Sequence, residues 1–171
     1  MFESSEIALS KSALAANLAF LHNHIGQATL SSVVKGNAYG HGLAAFAKLA
    51  HACGVRHFSV FSASEAYELK ACNLPETTIL IMGDVDDGAL AWAIKEGVEF
   101  FVFDMQRLKQ ALVFSEKCQQ KAKIHLEVET GMNRTGISKT ELPKAIQFLN
   151  QIHTGVLIPR AQGCPPLRQC H

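Results

Sequence analysis

The stretch SSVVKGNAYGHG, residues 31–42, joins a short apolar run to a lysine and then to a glycine-rich loop. The two valines favour a β-strand, and the three glycines among the last seven residues favour a turn that brings the backbone close to a ligand. Lys35 therefore stands at the carboxyl end of a predicted strand, where α/β enzymes keep their reactive groups. The stretch matches neither a Walker A loop nor a GxGxxG fingerprint, which argues against ATP and NAD as ligands.

Four similar runs follow at regular spacing. The starts of the five predicted strands are separated by 26, 21, 21 and 24 residues, which suits a strand followed by a crossover helix. The predicted strands are Ser31–Val34, His57–Phe61, Thr78–Ile81, Glu99–Phe103 and Lys123–Glu127. Residues 155–158 (GVLI) are a candidate sixth strand.

Signals for helix starts lie between these strands. Ser10 and Asp104 are typical N-cap residues, and Ser62 with Glu65 forms the pattern of a capping box. A further predicted helix, Asp86–Glu96, begins with acidic residues, which suit a helix N-terminus. Repeated βα units predict an α/β protein with a parallel sheet. A complete (β/α) barrel needs about 250 residues, so the chain forms either an open doubly wound sheet or the first part of a barrel.

Composition narrows the class of protein. The chain has 171 residues, of which 48% are hydrophobic and 18% charged, as in an ordinary globular domain. A net charge of +1 argues against nucleic acid or a membrane surface as partner. Five cysteines, an odd number, fit a reducing compartment. With neither a leader pattern nor an apolar run of about 18 residues, we expect a cytoplasmic protein.

A second segment, EVETGMNRTG at residues 127–136, follows the fifth predicted strand. Its loop carries Arg134. A lone arginine is most often a solvated surface residue. At the end of a strand it can also be a fixed cation that binds a carboxylate or a cofactor oxygen, and the pattern alone leaves both interpretations open.

Both segments resemble motifs of one family. VVKGNAYGHG resembles the pyridoxal-phosphate lysine motif of the alanine racemase family, which usually has Ala where this chain has Gly36. ETGMNRTG resembles that family's D-T-G-M-x-R-x-G motif, with Glu129 in place of Asp. The resemblance implies that residues 1–158 are the N-terminal part of a fold-type III barrel of the TIM type, incomplete at five to six of eight βα units.

The resemblance also implies an activity, the interconversion of L- and D-alanine with pyridoxal 5'-phosphate, which supplies D-alanine for peptidoglycan precursors. Lys35 would bind the cofactor as a Schiff base and act as one of two catalytic bases. Tyr39 would contact the cofactor phosphate, and Arg134 would bind the substrate carboxylate. The second base is, in the family, a tyrosine from the C-terminal domain of a partner subunit, so a homodimer is implied. The alternatives are a racemase of broader specificity and a non-catalytic barrel that binds pyridoxal phosphate.

The chain departs from the family pattern at two places. Many members have a lysine seven residues before the motif arginine that becomes carbamylated, whereas this chain has Glu127 there. Glu127 is either an ordinary polar residue at a strand end or a negative charge that forms an ion pair with Arg134 in the complete fold. Residues 159–171 (PRAQGCPPLRQCH) do not resemble the family, and we expect an irregular tail there. The Cys164, Cys170 and His171 spacing fits no zinc pattern, so no metal is expected. We therefore expect residues 1–171 alone to be a truncated and inactive fragment.

Overall fold

Short apolar runs form the strands and the segments between them form helices, as the spacing predicts. A computed structural model describes residues 6–151 and 156–157. The elements in chain order are α1 (Lys11–Ile25), β1 (Ser31–Val33), α2 (Lys35–Tyr39), α3 (Leu43–Ala52), β2 (His57–Val60), α4 (Ala63–Ala71), β3 (Thr78–Ile81), α5 (Asp87–Lys95), β4 (Glu99–Val102), α6 (Met105–Cys118), β5 (Ala122–Leu126), α7 (Leu142–Gln151) and β6 (Val156–Leu157).

The strand order decides between the two predicted architectures. All pairings are parallel, and the six strands lie side by side in chain order, from β1 to β6. A doubly wound sheet reverses its strand order at a switch point, whereas this order runs in one direction, as in a (β/α) barrel. Within the described residues β1 and β6 each pair with one neighbour only. The fold is therefore an incomplete parallel barrel of the TIM type, as expected.

The main core lies between the sheet and its helices. Side chains alternate between the two faces of a strand, and the positions under the helices are fully buried: Phe58, Val60, Ile81, Phe100, Val102 and Ile124. The opposite face corresponds to the interior of the barrel. There Val33 is 38% exposed and Phe61 is 57% exposed, so the inner face is partly open to solvent.

The predicted helix starts are confirmed. The side chains of Ser10, Asp86 and Asp104 each accept a hydrogen bond from the backbone N–H three residues later. Ser62 and Glu65 form both hydrogen bonds of a capping box. These caps satisfy backbone N–H groups that have no partner within the helix. They thereby fix the residue at which each helix begins and the preceding loop ends.

One element in the first functional segment was not predicted from the sequence. Residues 35–39 form a separate short helical turn, and α3 begins at Leu43. The candidate sixth strand is present as Val156–Leu157. The expected tail at residues 159–171 and its cysteines lie outside the described residues. In the part of the chain that the structure describes, no helix is long and apolar enough to cross a membrane.

Candidate active site

A cavity of about 390 Å³ lies at the carboxyl end of the strands. The loops that follow β1, β2, β3, β4 and β5 all contribute to it, which is the arrangement of catalytic centres in parallel barrels. Its lining residues are Lys35, Phe61, Met82, Gly83, Asp84, Phe101, Phe103, Glu127, Arg134 and Thr135. The volume is within the range of about 300–1,000 Å³ that is typical of small-molecule sites.

Lys35 is held at the edge of this cavity by the backbone on both sides of it. Val34 is fully buried and its N–H donates to the Ser59 carbonyl at 2.8 Å. The N–H of Gly36 donates to Glu65 Oε1 at 2.7 Å. Lys35 itself is partly buried and lines the cavity, so its amine is available to a ligand from a fixed point of attachment.

The backbone after Lys35 is left-handed over four residues. Gly36, Asn37, Ala38 and Tyr39 have φ values of 60°, 54°, 52° and 55°. For residues other than glycine this conformation costs about 1–2 kcal/mol each, and such strain persists only where the surroundings hold it. The Asn37 side chain contributes, because its Oδ1 accepts a hydrogen bond from the N–H of Leu43 at 2.7 Å.

Tyr39, the last residue of the left-handed turn, is not among the residues that line the cavity. Its side chain is 63% exposed. The structure therefore brings two of the three residues singled out in the sequence, Lys35 and Arg134, into one site, while Tyr39 lies outside it.

Arg134 stands on a loop that Glu129 organises. A parallel bridge between Val128 and Ile137 closes the loop at its base. The Glu129 carboxylate accepts a hydrogen bond from the N–H of Gly131. That contact, followed by the N–H of Asn133, lowers the pKa of Glu129 below its usual value. Glu129, which replaces the aspartate of the family motif, thus keeps the loop in a conformation that places Arg134 on the cavity.

Glu127 and Arg134 form no ion pair in the described residues; the pair was expected of the complete fold, where it stays a prediction. Glu127 Oε1 instead accepts a hydrogen bond from the Thr135 hydroxyl at 2.8 Å. Arg134 is exposed, and an exposed ion pair gains only about 0–1 kcal/mol, which does not offset the ordering of a long side chain. The two residues line one cavity without touching.

A polar network inside the barrel was missed at the sequence level. The Glu99 carboxylate is buried, with Oε2 at 2.7 Å from His125 Nε2 and at 3.6 Å from His57 Nε2. His57 Nδ1 is also hydrogen-bonded to the Ser31 hydroxyl at 2.8 Å. Burial raises the pKa of Glu99, but the hydrogen bonds and charges of His125 and His57 outweigh it and lower that pKa to about 2. No local signal in the sequence pointed to it, because these residues share one face only when the strands are aligned in register.

The fold and site define a class: a parallel β/α barrel with a lysine at the end of its first strand and an arginine opposite. Comparison with known sequences is consistent with this class. The sequence model of the family described as "Alanine racemase, N-terminal domain" matches residues 9–159. The chain belongs to the alanine racemase N-terminal domain family.

Relatives of the chain include two curated bacterial racemases. Alanine racemase 2 of Oceanobacillus iheyensis is 30% identical over 88% of this chain and 38% of its own length. Lysine racemase of Oenococcus oeni is 36% identical over 86% of this chain and 39% of its own. The chain thus spans about two fifths of the length of these relatives.

A solved structure shows the same fold. The alanine racemase of Bartonella henselae, crystallised with covalently bound pyridoxal phosphate, superposes with a TM-score of 0.74. The two chains are 28% identical, and the match covers 81% of this chain and 39% of that one.

Proposed function

We propose that this chain forms the cofactor-binding part of a pyridoxal-phosphate-dependent racemase that interconverts L- and D-alanine. The observation that carries the proposal is the shared cavity of Lys35 and Arg134 at the carboxyl end of the strands, in a chain of this family. The covalently bound pyridoxal phosphate of the Bartonella henselae relative supports the choice of cofactor.

The residues of the cavity fit such a cofactor. An aldehyde needs an amine, which Lys35 provides from a partly buried position. A flat aromatic ring needs apolar walls, and Phe61, Phe101 and Phe103 line the same cavity. The anionic groups of a cofactor–substrate complex need a cation, and Arg134 supplies a guanidinium, whose planar fork matches carboxylate and phosphate oxygens.

When bound, pyridoxal phosphate supplies an electron sink for the charge left at the Cα of an amino acid after proton removal. The chain's own residues do the rest. Lys35 Nζ would hold the cofactor and, after the substrate amine has displaced it, would be the amine that removes or returns the Cα proton on its side of the substrate. Arg134 binds the substrate carboxylate by paired hydrogen bonds. The phenylalanines exclude water, which strengthens these electrostatic interactions. Tyr39 remains the proposed phosphate contact on the resemblance of its motif alone.

A second substrate class is supported by the charge of the cavity. Asp84 and Glu127 line it beside the two cations. Asp84 is paired with Arg107 at 3.3 Å, which leaves Glu127 as the lining carboxylate without an ion pair in the described residues. Carboxylates at the cavity favour an amino acid with a cationic side chain, and one relative is a lysine racemase. The second candidate is therefore a racemase of broader specificity that accepts basic amino acids.

The wider organisation is part of the proposal. Residues 1–158 form the N-terminal part of the barrel, and residues 159–171 form a tail that does not match the family. The active enzyme is a cytoplasmic homodimer whose partner subunit supplies the second base, and its D-alanine enters peptidoglycan precursors. Family membership over residues 9–159 supports the assignment of these residues to the N-terminal domain, and the other statements follow from what the resemblance implies.

Covalent labelling tests the proposal. Residues 1–171 are incubated with pyridoxal 5'-phosphate, reduced with borohydride and mapped by peptide analysis. We expect the label on Lys35, with Lys95 and Lys123 as internal controls on the same chain. Arg134→Gln should leave the labelled position unchanged, because that residue contacts the substrate. A label found mainly on another lysine contradicts the assignment of the site.

A further inference from the structure

Glu65 connects the two loops that frame the lysine. It lies in the first turn of α4, and its Oε2 accepts hydrogen bonds from the N–H of Phe61 at 2.8 Å and of Ser62 at 3.3 Å. Its Oε1 reaches across to the neighbouring loop and accepts the N–H of Gly36 at 2.7 Å. One carboxylate therefore holds the loop after β2 and the loop after β1 at the same time.

The hydrogen bond between the Gly36 N–H and Glu65 lies at the residue where the backbone enters the left-handed conformation. Gly36 is the first residue of the left-handed turn and directly follows Lys35. The far end of the turn is fixed by Asn37, whose side chain and carbonyl accept the N–H groups of Leu43 and Gly42. Glu65 is the side chain that fixes the near end. A strained turn held at both ends has one conformation, and the direction in which Lys35 leaves the backbone is fixed with it.

A carboxylate suits this position because it has two acceptor oxygens and no donor. Three N–H groups point at Glu65, so a glutamine there would present an amide donor to at least one of them. The negative charge also lies at the N-terminal end of α4, where the helix dipole favours it. The position of Glu65 therefore requires both a carboxylate and a side chain long enough to reach the Gly36 N–H.

We infer that Glu65 is a positioning residue for Lys35, acting through the Gly36 N–H, in addition to its role in capping α4. This inference rests on the proposed function, since it assigns Glu65 a part in presenting the amine that binds the cofactor. Glu65 is not among the residues that line the cavity, so its effect is indirect.

Two variants of the chain separate positioning from capping. Glu65→Gln keeps the size of the side chain but removes one acceptor. Ser62→Ala removes the other half of the capping box and leaves Gly36 with its acceptor. Glu68→Gln makes the same chemical change as the first variant at an exposed position in the same helix, and serves as the control.

The first measurement needs no cofactor. Hydrogen exchange of the Gly36 amide is followed in residues 1–171 and in each variant. We expect exchange to become about tenfold faster in Glu65→Gln, as the loss of a hydrogen bond to a charged acceptor predicts, and to change less than twofold in the two other variants. Unchanged exchange at Gly36 in Glu65→Gln overturns the inference.

The second measurement follows the labelling of Lys35 by pyridoxal 5'-phosphate and borohydride. The initial rate at Lys35, relative to that at exposed lysines, should fall about tenfold in Glu65→Gln and remain unchanged in Ser62→Ala and Glu68→Gln. An equal fall in Ser62→Ala means that Glu65 acts through helix stability alone, and overturns the inference. If the unsubstituted chain takes no label at Lys35, the proposed function fails, and the exchange measurement alone then decides whether Glu65 holds the lysine loop.

Discussion

Gly36, next to Lys35, has a left-handed backbone conformation that a glycine adopts without strain. Its φ is +60°, and a Cβ added there would meet no atom within 4 Å. Gly136 differs, because its φ is +117° and an added Cβ would lie 2.6 Å from the backbone nitrogen of Glu129. We expect Gly36→Ala to cost about 1–2 kcal/mol from backbone conformation alone. Gly136→Ala should cost more, since the backbone that carries Arg134 must shift.

Urea unfolding of both variants measures this contrast in the free energy of unfolding. We assign only backbone strain to Gly36→Ala, and both backbone strain and a steric clash to Gly136→Ala. An equal loss in the free energy of unfolding of the two variants would contradict this assignment. The comparison also tests whether the alanine that the family usually has after its lysine is compatible with the left-handed turn of this chain.

At the scale of single residues, the sequence identified Lys35 and Arg134 but not the bonds that hold them. The lysine motif could be recognised because it is contiguous. The left-handed turn could not, because its conformation depends on Glu65, which is 29 residues from Gly36 in the chain. The pairing of Glu127 with Thr135 rather than Arg134 likewise depends on loop geometry that no local pattern encodes.

At the scale of elements, Glu99 links β4 to β2 and β5 through two histidines. The pKa of Glu99 falls from 4.5 to about 2 on folding. A carboxyl whose pKa is lower in the folded state stabilises the fold above its unfolded pKa, and that contribution is lost as pH falls through the folded pKa. We therefore expect up to about 3 kcal/mol of stability to be lost between pH 4.5 and pH 2 because of this group.

Urea unfolding at a series of pH values measures this loss. Glu99→Gln should flatten the curve between pH 4.5 and pH 2, whereas Glu96→Gln should not, because the exposed pair of Glu96 with Lys70 contributes about 0–1 kcal/mol. The same acid slope in Glu99→Gln as in the unsubstituted chain would show that the network does not control stability at low pH.

The element boundaries could be predicted to within about two residues because hydrophobic runs and caps are local signals. The network of Glu99 with its two histidines could not be predicted from the sequence. His57, Glu99 and His125 meet only when the strands are aligned in register, with Leu80 opposite Glu99 and Phe101 opposite His125. Spacing along the chain predicts that strands exist, but not which side chains share the inner face.

At the scale of the whole molecule, the inner face of the sheet is partly open to solvent at Phe61 and Val33 in the described residues. Phe61 and Tyr67 have similar exposed fractions, 57% and 64%, but Phe61 lies on the inner face and Tyr67 on helix α4. We expect residues 1–171 to self-associate through the inner face and the edges of β1 and β6. Phe61→Lys should reduce this association in light scattering, and Tyr67→Lys should not.

The same polypeptide should not racemise alanine, even with saturating pyridoxal 5'-phosphate. The resemblance assigns the second catalytic base, which acts on the opposite face of the substrate, to a C-terminal domain. Loss of general acid–base catalysis lowers the rate about 10²–10⁴-fold. Chiral analysis of the product measures this. A monodisperse monomer that forms D-alanine at about 1–10³ per second would contradict both expectations.

The strand order has a consequence for biosynthesis. Each strand pairs with the one made just before it, with paired residues 26 positions apart from Ser31 to His57 and 34 apart from Ala122 to Val156. A ribosome adds about 5–20 residues per second, so each new strand leaves the exit tunnel a few seconds after the edge that receives it. The sheet can therefore grow in the direction of translation, one βα unit at a time, without waiting for a distant partner.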